Sequence, residues 1–468
     1  VADVTDDLDR SALRRFLLGL AQGMNASAES VDRIRDTMTD VVEAYGGRDT
    51  DFVVLPTIIL VETGESDEAR VAIRSATNAS FRFDQIAALY ELVAQARTAS
   101  ISPLDGIRRL NEIGAMRPRL GWLTRTFGHA VLTTGLALLL APTWQGAIVA
   151  FGLGFGIGLL KLVRSPTLQL ILPIAAAFVC AASVFLLAEV IEIGDPIRLL
   201  IAPLVTFLPG GVLTTATVEL AAGQMISGAA RLIYGFVQLA LLAFGILAAG
   251  ATVGVDSRSY EPLAPSSFLP WWVGLLGILV FALGNYLHFS APASTFGWVL
   301  LALVVAYAGQ WVGTEFIDPT IGGFVGAVAV TPVVFWIAGL RHGAPSQLTF
   351  LPAFWLLVPG AAGLVGLTEA FATDNGLADF AAALTSIMSI ALGVLIGTAL
   401  YRVVHHGAEE FVQFAVAVPT APAAESPPTL WARLTAPWRR APWRRAPWRR
   451  APWRRAPHAG SRAARRPE

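Results

Sequence analysis

Cysteine and lysine are almost missing from this 468-residue chain, which holds one of each, Cys180 and Lys161. A single cysteine in an apolar run excludes a disulfide framework and a thiolate metal cluster. The near-complete use of arginine in place of lysine reads as a nucleotide-composition habit. Charge is scarce as well: 15% of residues are Asp, Glu, Lys or Arg, where a soluble domain carries about 25%. With a mean hydropathy of +0.59, that scarcity excludes an ordinary soluble globular protein and predicts membrane burial. No HExxH, CxxC, nucleophile elbow or Gly-Lys-Ser/Thr phosphate loop is present, so neither an enzyme nor a cofactor or metal site is expected. Val1 to Arg10 holds four aspartates and no apolar run, which predicts no signal peptide.

Residues 1–120 read as a small, mostly helical cytoplasmic domain with a short β element. Leu13, Phe16, Leu17 and Leu20 recur at helical spacing, as do Val31, Ile34, Met38, Val41 and Tyr45, with Gly46 and Gly47 as a stop. Asp51 to Val61 is β-rich, and Pro56 predicts an edge or kinked strand. Helices are expected over Phe83 to Arg97 and after Ser102, where Pro103 and Asp105 form a cap signal. The domain's five excess acids argue against nucleic-acid binding. Ser27, Glu29, Asp32 and Arg33 could form a polar site, but a solvated helix face explains them more cheaply.

From Trp122 onward ten apolar runs approach or exceed spanning length: 123–141, 144–162, 167–188, 197–218, 227–250, 269–289, 295–313, 320–340, 347–367 and 380–403. Arg117, Arg119, Arg125, Lys161, Arg164, Arg341 and Arg402 fall on one side of this arrangement. Glu189, Glu192, Asp195, Glu315, Asp318, Glu369, Asp374 and Asp379 fall on the other, with only Arg198 and Arg258 as basic residues. The positive-inside rule then places both termini in the cytoplasm of a bacterial cell, with a multi-pass protein in its inner membrane.

An offset of 150 relates Trp122 to Trp272, Pro209-Gly210 to Pro359-Gly360 and Glu219 to Glu369. Five runs per unit is an odd number, so the expected fold is all-α with ten transmembrane helices in two inverted five-helix repeats, 121–253 and 254–405.

The Pro-Gly pairs mark the candidate substrate and ion path. Proline removes a helical donor, and glycine leaves room for a ligand or neighbour. Pro209, Gly210, Thr214, Thr215, Glu219 and Arg231 supply one half; Pro359, Gly360, Thr368 and Glu369 supply the other. An amino-acid zwitterion needs an anionic partner and donors for its carboxylate, which suits Glu219 and Arg231. Either could instead sit at the membrane interface, where an arginine snorkels at little cost. His129, one turn from Arg125, could relay protons or simply bond a neighbouring carbonyl; Asn285 and His288 carry the same two readings. Gly152, Gly154, Gly156 and Gly158 offer small-xxx-small packing faces.

Residues 406–468 read as a disordered cytoplasmic tail. Ala-Pro-Trp-Arg-Arg repeats four times from Ala436 to Arg455, and proline every fifth residue forbids a regular helix. Twelve arginines against Glu468 alone give the stretch from Arg433 a charge of +11, which suits anionic membrane lipids.

Several stretches together resemble the threonine/serine exporter family: Gly23 to Val31 with the helix up to Gly46, Ile73-Arg74-Ser75, and the Pro-Gly segments Phe207 to Glu219 and Leu357 to Glu369. The resemblance covers roughly residues 10–405. It implies a cytoplasmic amino-terminal domain fused to ten membrane helices and export of threonine and serine driven by the proton motive force. Amino acid and protons are then the partners, with a homo-oligomer left open. The family usually has a glycine-alanine pair near positions 25–31, where this chain reads Asn25-Ala26-Ser27-Ala28-Glu29. Two alternatives stand beside export of amino acids: export of a small dicarboxylate on the same scaffold, and a membrane sensor or scaffold without transport.

Overall fold

The computed structural model describes residues 2–406 apart from 48–49, 64–69, 76–79, 141–142, 164, 256–259, 261–269, 271, 319–320, 358 and 373–375. The Ala-Pro-Trp-Arg-Arg tail lies outside the described residues, as do the side chains of Pro359 and Gly360.

Four helices and a three-stranded antiparallel sheet make up the amino-terminal region: α1 Ala2–Ala26, α2 Val31–Ala44, β1 Thr50–Val54, β2 Ile58–Thr63, β3 Arg70–Ser75, α3 Phe83–Arg97 and α4 Pro103–Ala115. Phe16, Leu17 and Leu20 of α1 and Ile34, Met38 and Val41 of α2 meet Ile59, Leu89 and Ile113 in one core. Burial of such side chains stabilises by about 1.5–3 kcal/mol each. The Ser102 hydroxyl accepts the Asp105 amide at 3.1 Å and starts α4 behind Pro103. Pro56 is not inside a strand. It lies in the turn closed by Leu55 N–H to Ile58 O at 2.8 Å, where the missing proline N–H costs no ladder bond.

The apolar part follows as α5 Trp122–Leu140, α6 Trp144–Leu160, α7 Pro166–Ala188, α8 Pro196–Leu204, α9 Gly210–Ala221, α10 Met225–Val253, α11 Trp272–His288, α12 Phe296–Phe316, α13 Gly322–Gly339, α14 Ser346–Leu357, α15 Pro359–Ala372 and α16 Gly376–His406. Among the described residues six helical stretches are long and apolar enough to cross a membrane: Trp122–Leu140, Ile171–Ala188, Met225–Val253, Ala293–Phe316, Gly322–Gly339 and Leu384–Val404. A seventh is counted if the pair Pro196–Phe207 and Gly210–Ala221, bent by 72°, forms one broken span. The fold is that of a multi-pass, mostly helical membrane protein with a small β element.

Ten spans in two inverted five-helix repeats are therefore overturned. The runs 144–162 and 269–289 form helices of only 17 residues, and the described stretches over 347–367, Ser346–Leu357 and Gly363–Ala372, are each shorter than a span. Apolar composition does not register where a helix ends. Thr143 caps α6 by accepting the Gly146 amide, and Lys161 closes it. Beyond α11, Ser290 takes a left-handed φ of 55°, a conformation that ends regular helix. Six or seven spans do not divide into five and five.

Close backbone approach sets the pairing of α5 with α11. A Cβ at Gly284 would stand 2.1 Å from the Leu132 amide nitrogen, and one at Gly135 would stand 2.3 Å from that of Phe281. On α6, Gly154 and Gly158 face α5, while Gly152 and Gly156 meet nothing within 4 Å. Only one of the two small-residue faces is used for packing.

Candidate functional site

The break between α8 and α9 organises the site. Pro203 lies inside α8, the chain tightens into a 3-10 turn at Val205–Phe207, and Leu208 is extended at ψ 129° before Pro209. A residue before proline is pushed out of helical conformation, so the chain can restart only at Gly210.

Beyond the break, α9 walls a cavity of about 520 Å³ with Gly211, Thr214, Thr215 and Val218. The opposite wall comes from the amino-terminal region, through Glu29, Asp32, Arg33 and Asp36, with Arg97 of α3. Gln347 and Phe354 of α14, Phe335 of α13, and Thr398 and Arg402 of α16 complete it. Three carboxylates and three guanidiniums thus share one space with several hydroxyls. One Asp32 oxygen, Oδ1, is buried without a hydrogen-bond partner among the described residues. An unpaired buried carboxylate oxygen is costly, and the residue that carries it lines the cavity.

Arg33 is held from several directions. Its Nε lies 3.7 Å from Glu29 Oε1, its Nη1 donates to Ser346 Oγ at 3.3 Å, and its Cζ stands 5.2 Å from the Phe335 ring centre. Burial weighs against the guanidinium charge; Glu29, Tyr90, Asp32 and Asp36 outweigh it and raise the pKa above the ordinary arginine value. The Tyr90 hydroxyl donates to Glu29 Oε2. Burial first, then the Glu29 carboxylate, push the Tyr90 phenol well above its usual value, so it stays a donor.

Glu219 and Arg231 face each other rather than the cavity. Glu219 is fully buried, with Oε2 3.2 Å from Arg231 Nε. Its other oxygen accepts the Val31 amide at 3.0 Å. Ser30, at the N-cap of α2, makes no side-chain cap bond; a carboxylate from the membrane part performs that role, favoured by the helix dipole. Arg231 Nη2 donates to Asn25 Oδ1 at 3.2 Å and to Glu29 O at 3.3 Å. Asn25 Nδ2 in turn donates to Pro56 O at 3.0 Å, tying in the β-hairpin turn. The Asn25–Glu29 segment is therefore the seam between the two parts. Beside it Phe83 of α3 stacks on Phe289 at 4.8 Å, and Phe289 on Trp355 at 5.0 Å.

A second polar cluster lies across the break. His129 is buried, with Nδ1 2.9 Å from Gly154 O and Nε2 3.1 Å from Thr206 Oγ1. Lys161 Nζ also bonds Thr206 Oγ1 and stands 4.8 Å from the Phe207 ring centre. The His288 ring is 4.8 Å from that of His129, and its Nδ1 lies 3.0 Å from Arg125 O.

Of the residues singled out from sequence, Pro209 and Gly210 form the break, Thr214 and Thr215 reach the cavity wall, and Glu219 and Arg231 pair behind it. Pro359 and Gly360 open α15. Thr368 is buried with its hydroxyl on Leu364 O at 2.8 Å, and Glu369 is buried on the same helix; neither lines the cavity. His129 joins the second cluster. Sequence reasoning missed Asp36, Gln347 and Thr206, ranked a solvated face above a polar site for Asp32 and Arg33, and read Lys161 as compositional. The unusual rarity of lysine was the one signal available for the last.

No solved structure matches the chain. Pheromone-regulated membrane protein 10 of Eremothecium gossypii is 24% identical over 339 residues, covering 66% of this chain. The chain spans 44% of that relative's length. The family described as "Putative threonine/serine exporter" matches residues 15–253, just over half of the chain, including the seam, the break and the Glu219–Arg231 pair; the chain belongs to that family.

Proposed function

We propose that this protein is a secondary active exporter of small amino acids of the threonine and serine kind, driven by the proton motive force. The observation that carries the substrate class is that Asp32, one of whose carboxylate oxygens has no hydrogen-bond partner among the described residues, lines a cavity that also presents Arg33. Asp32 would take the ammonium of the solute, Arg33 its carboxylate, and Thr214 and Thr215 its side-chain hydroxyl. About 520 Å³ accommodates such a solute with water. A dicarboxylate fits less well, because Glu29, Asp32 and Asp36 would repel it. The family description supports the same substrate class, and the broken span beside the cavity supports movement of the wall.

The test is counter-flow in proteoliposomes with labelled threonine, serine and succinate. Saturable threonine or serine flux that falls at least tenfold in Asp32→Asn is expected, the loss corresponding to a charge-assisted bond of about 1.5–3 kcal/mol. Preference for succinate would transfer the reading to dicarboxylates. Absence of saturable flux for all three would sink it in favour of a sensor or scaffold.

A further inference from the structure

The chain uses arginine 33 times and lysine once, and its one lysine lies at the helix break. Arginine does not release its proton in proteins, whereas a lysine taken from water can. Among the described residues no carboxylate stands within ion-pair distance of Lys161. Its ammonium is held by the Thr206 hydroxyl and the Phe207 ring.

Donor and acceptor roles around Thr206 follow from the partners. Gly154 O can only accept, so His129 Nδ1 carries a hydrogen across the 2.9 Å contact. In the neutral ring Nε2 is then an acceptor, and the Thr206 hydroxyl donates to it across 3.1 Å. The Thr206 oxygen in turn accepts from the Lys161 ammonium. Lysine, hydroxyl and imidazole thus form one directed chain. If an ammonium N–H bond breaks toward Thr206 Oγ1 as the hydroxyl proton passes to His129 Nε2, lysine becomes a neutral amine and His129 an imidazolium. One proton has moved, nothing is oxidised or reduced, and the hydroxyl has reversed its direction.

Among the described residues the charged and titratable groups around this chain are Arg125 and His129 from α5 and His288 from α11, with Lys161 at the end of α6; Val205–Phe207 contributes none. All are cations when protonated, so a second proton is disfavoured by the first. The cavity described above includes none of them, and a proton is the one ligand that needs no cavity. Thr206 belongs to the turn that joins α8 to α9, and α9 carries the cavity wall.

We propose that Lys161, Thr206 and His129 form the proton-binding site of this transporter, and that the hydroxyl of the helix break reports the position of the proton to the cavity. The proposal rests on the proton-coupled reading above and assigns it residues.

Because Lys161 is the only lysine, ε-¹⁵N-lysine labelling of the full-length protein in nanodiscs reports this residue alone. Its titration midpoint is expected to move by about one pH unit or more, equivalent to ~1.4 kcal/mol, in His129→Gln and Thr206→Val, and to return in Thr206→Ser. A midpoint indifferent to both replacements would overturn the site. In proteoliposomes, threonine accumulation driven by a pH gradient, divided by threonine counter-flow, is expected to fall at least tenfold in Lys161→Arg and Thr206→Val and to recover in Thr206→Ser. An unchanged ratio in Lys161→Arg would equally overturn it. Wild-type protein without threonine flux would defeat the substrate reading, while the lysine titration would still decide the proton site.

Discussion

The two polar clusters on either side of the helix break differ in how their charges are answered. On the amino-terminal side, Glu219 meets Arg231 and the start of α2, and Glu29 meets Arg33 and Tyr90. These two charge pairs each have an opposite or a donor, and the bonds join segments about 200 residues apart, such as Arg231 to Glu29 and Asn25. On the α5–α6–α11 side, Lys161 has hydroxyl and ring partners but no carboxylate among the described residues. Neutralised charge holds a structure together, whereas a half-buried cation with no carboxylate beside it can give up its proton. The contrast separates a joint from a working group.

Glu219→Ala tests the joint most severely. It leaves Arg231 without its carboxylate and α2 without its cap, and a loss of about 3–5 kcal/mol is expected. Thermal unfolding of the purified protein, with faster amide exchange at residues 30–34, is the check; Glu219→Ala with Arg231→Ala should lose less than the two single losses combined. Tyr90→Phe should cost about 1.5–3 kcal/mol through the lost bond to a carboxylate. The sign of its pH dependence follows from the raised phenol value. The contribution is complete below the unfolded-state value of about 10 and disappears only as pH rises through the higher folded-state value. The gap between wild type and Tyr90→Phe should therefore stay flat from about pH 6 to 9. Lys161→Met should change stability least, by less than about 1.5 kcal/mol, since it removes a half-buried charge without orphaning another. A loss as large as that of Glu219→Ala would erase the contrast.

Helical spacing made α1 and α2 legible because their apolar residues meet a core at 3.6-residue intervals, a pattern carried by the chain itself. Pro56 misled because an interruption in a β-rich run looks the same whether it bends one strand or turns between two. The span count failed for a similar reason: apolar composition continues through Thr143 and Lys161, while regular helix does not. At the site, the Pro-Gly rule located the break at Pro209, and Thr214 and Thr215 lay where the rule pointed. Asp32 and Arg33 escaped because a polar helix face in front of solvent and one in front of another helix layer have identical sequences. Only the docking of α2 on Glu219 tells them apart. Thr206 carried no signal, since its partners His129 and Lys161 lie 77 and 45 positions away.

The cap of α2 has a consequence for how the protein is made. Val31 leaves the ribosome well before its acceptor Glu219, 188 positions later. At about 5–20 residues per second that interval is on the order of ten to forty seconds. During it, α2 begins with an open end, and the Asn25–Glu29 turn has no Arg231 to bind. The amino-terminal region thus waits, incompletely tied, for a helix pair that must first enter the lipid. Errors in membrane insertion near α9 and α10 would then surface as misfolding at the opposite end of the chain.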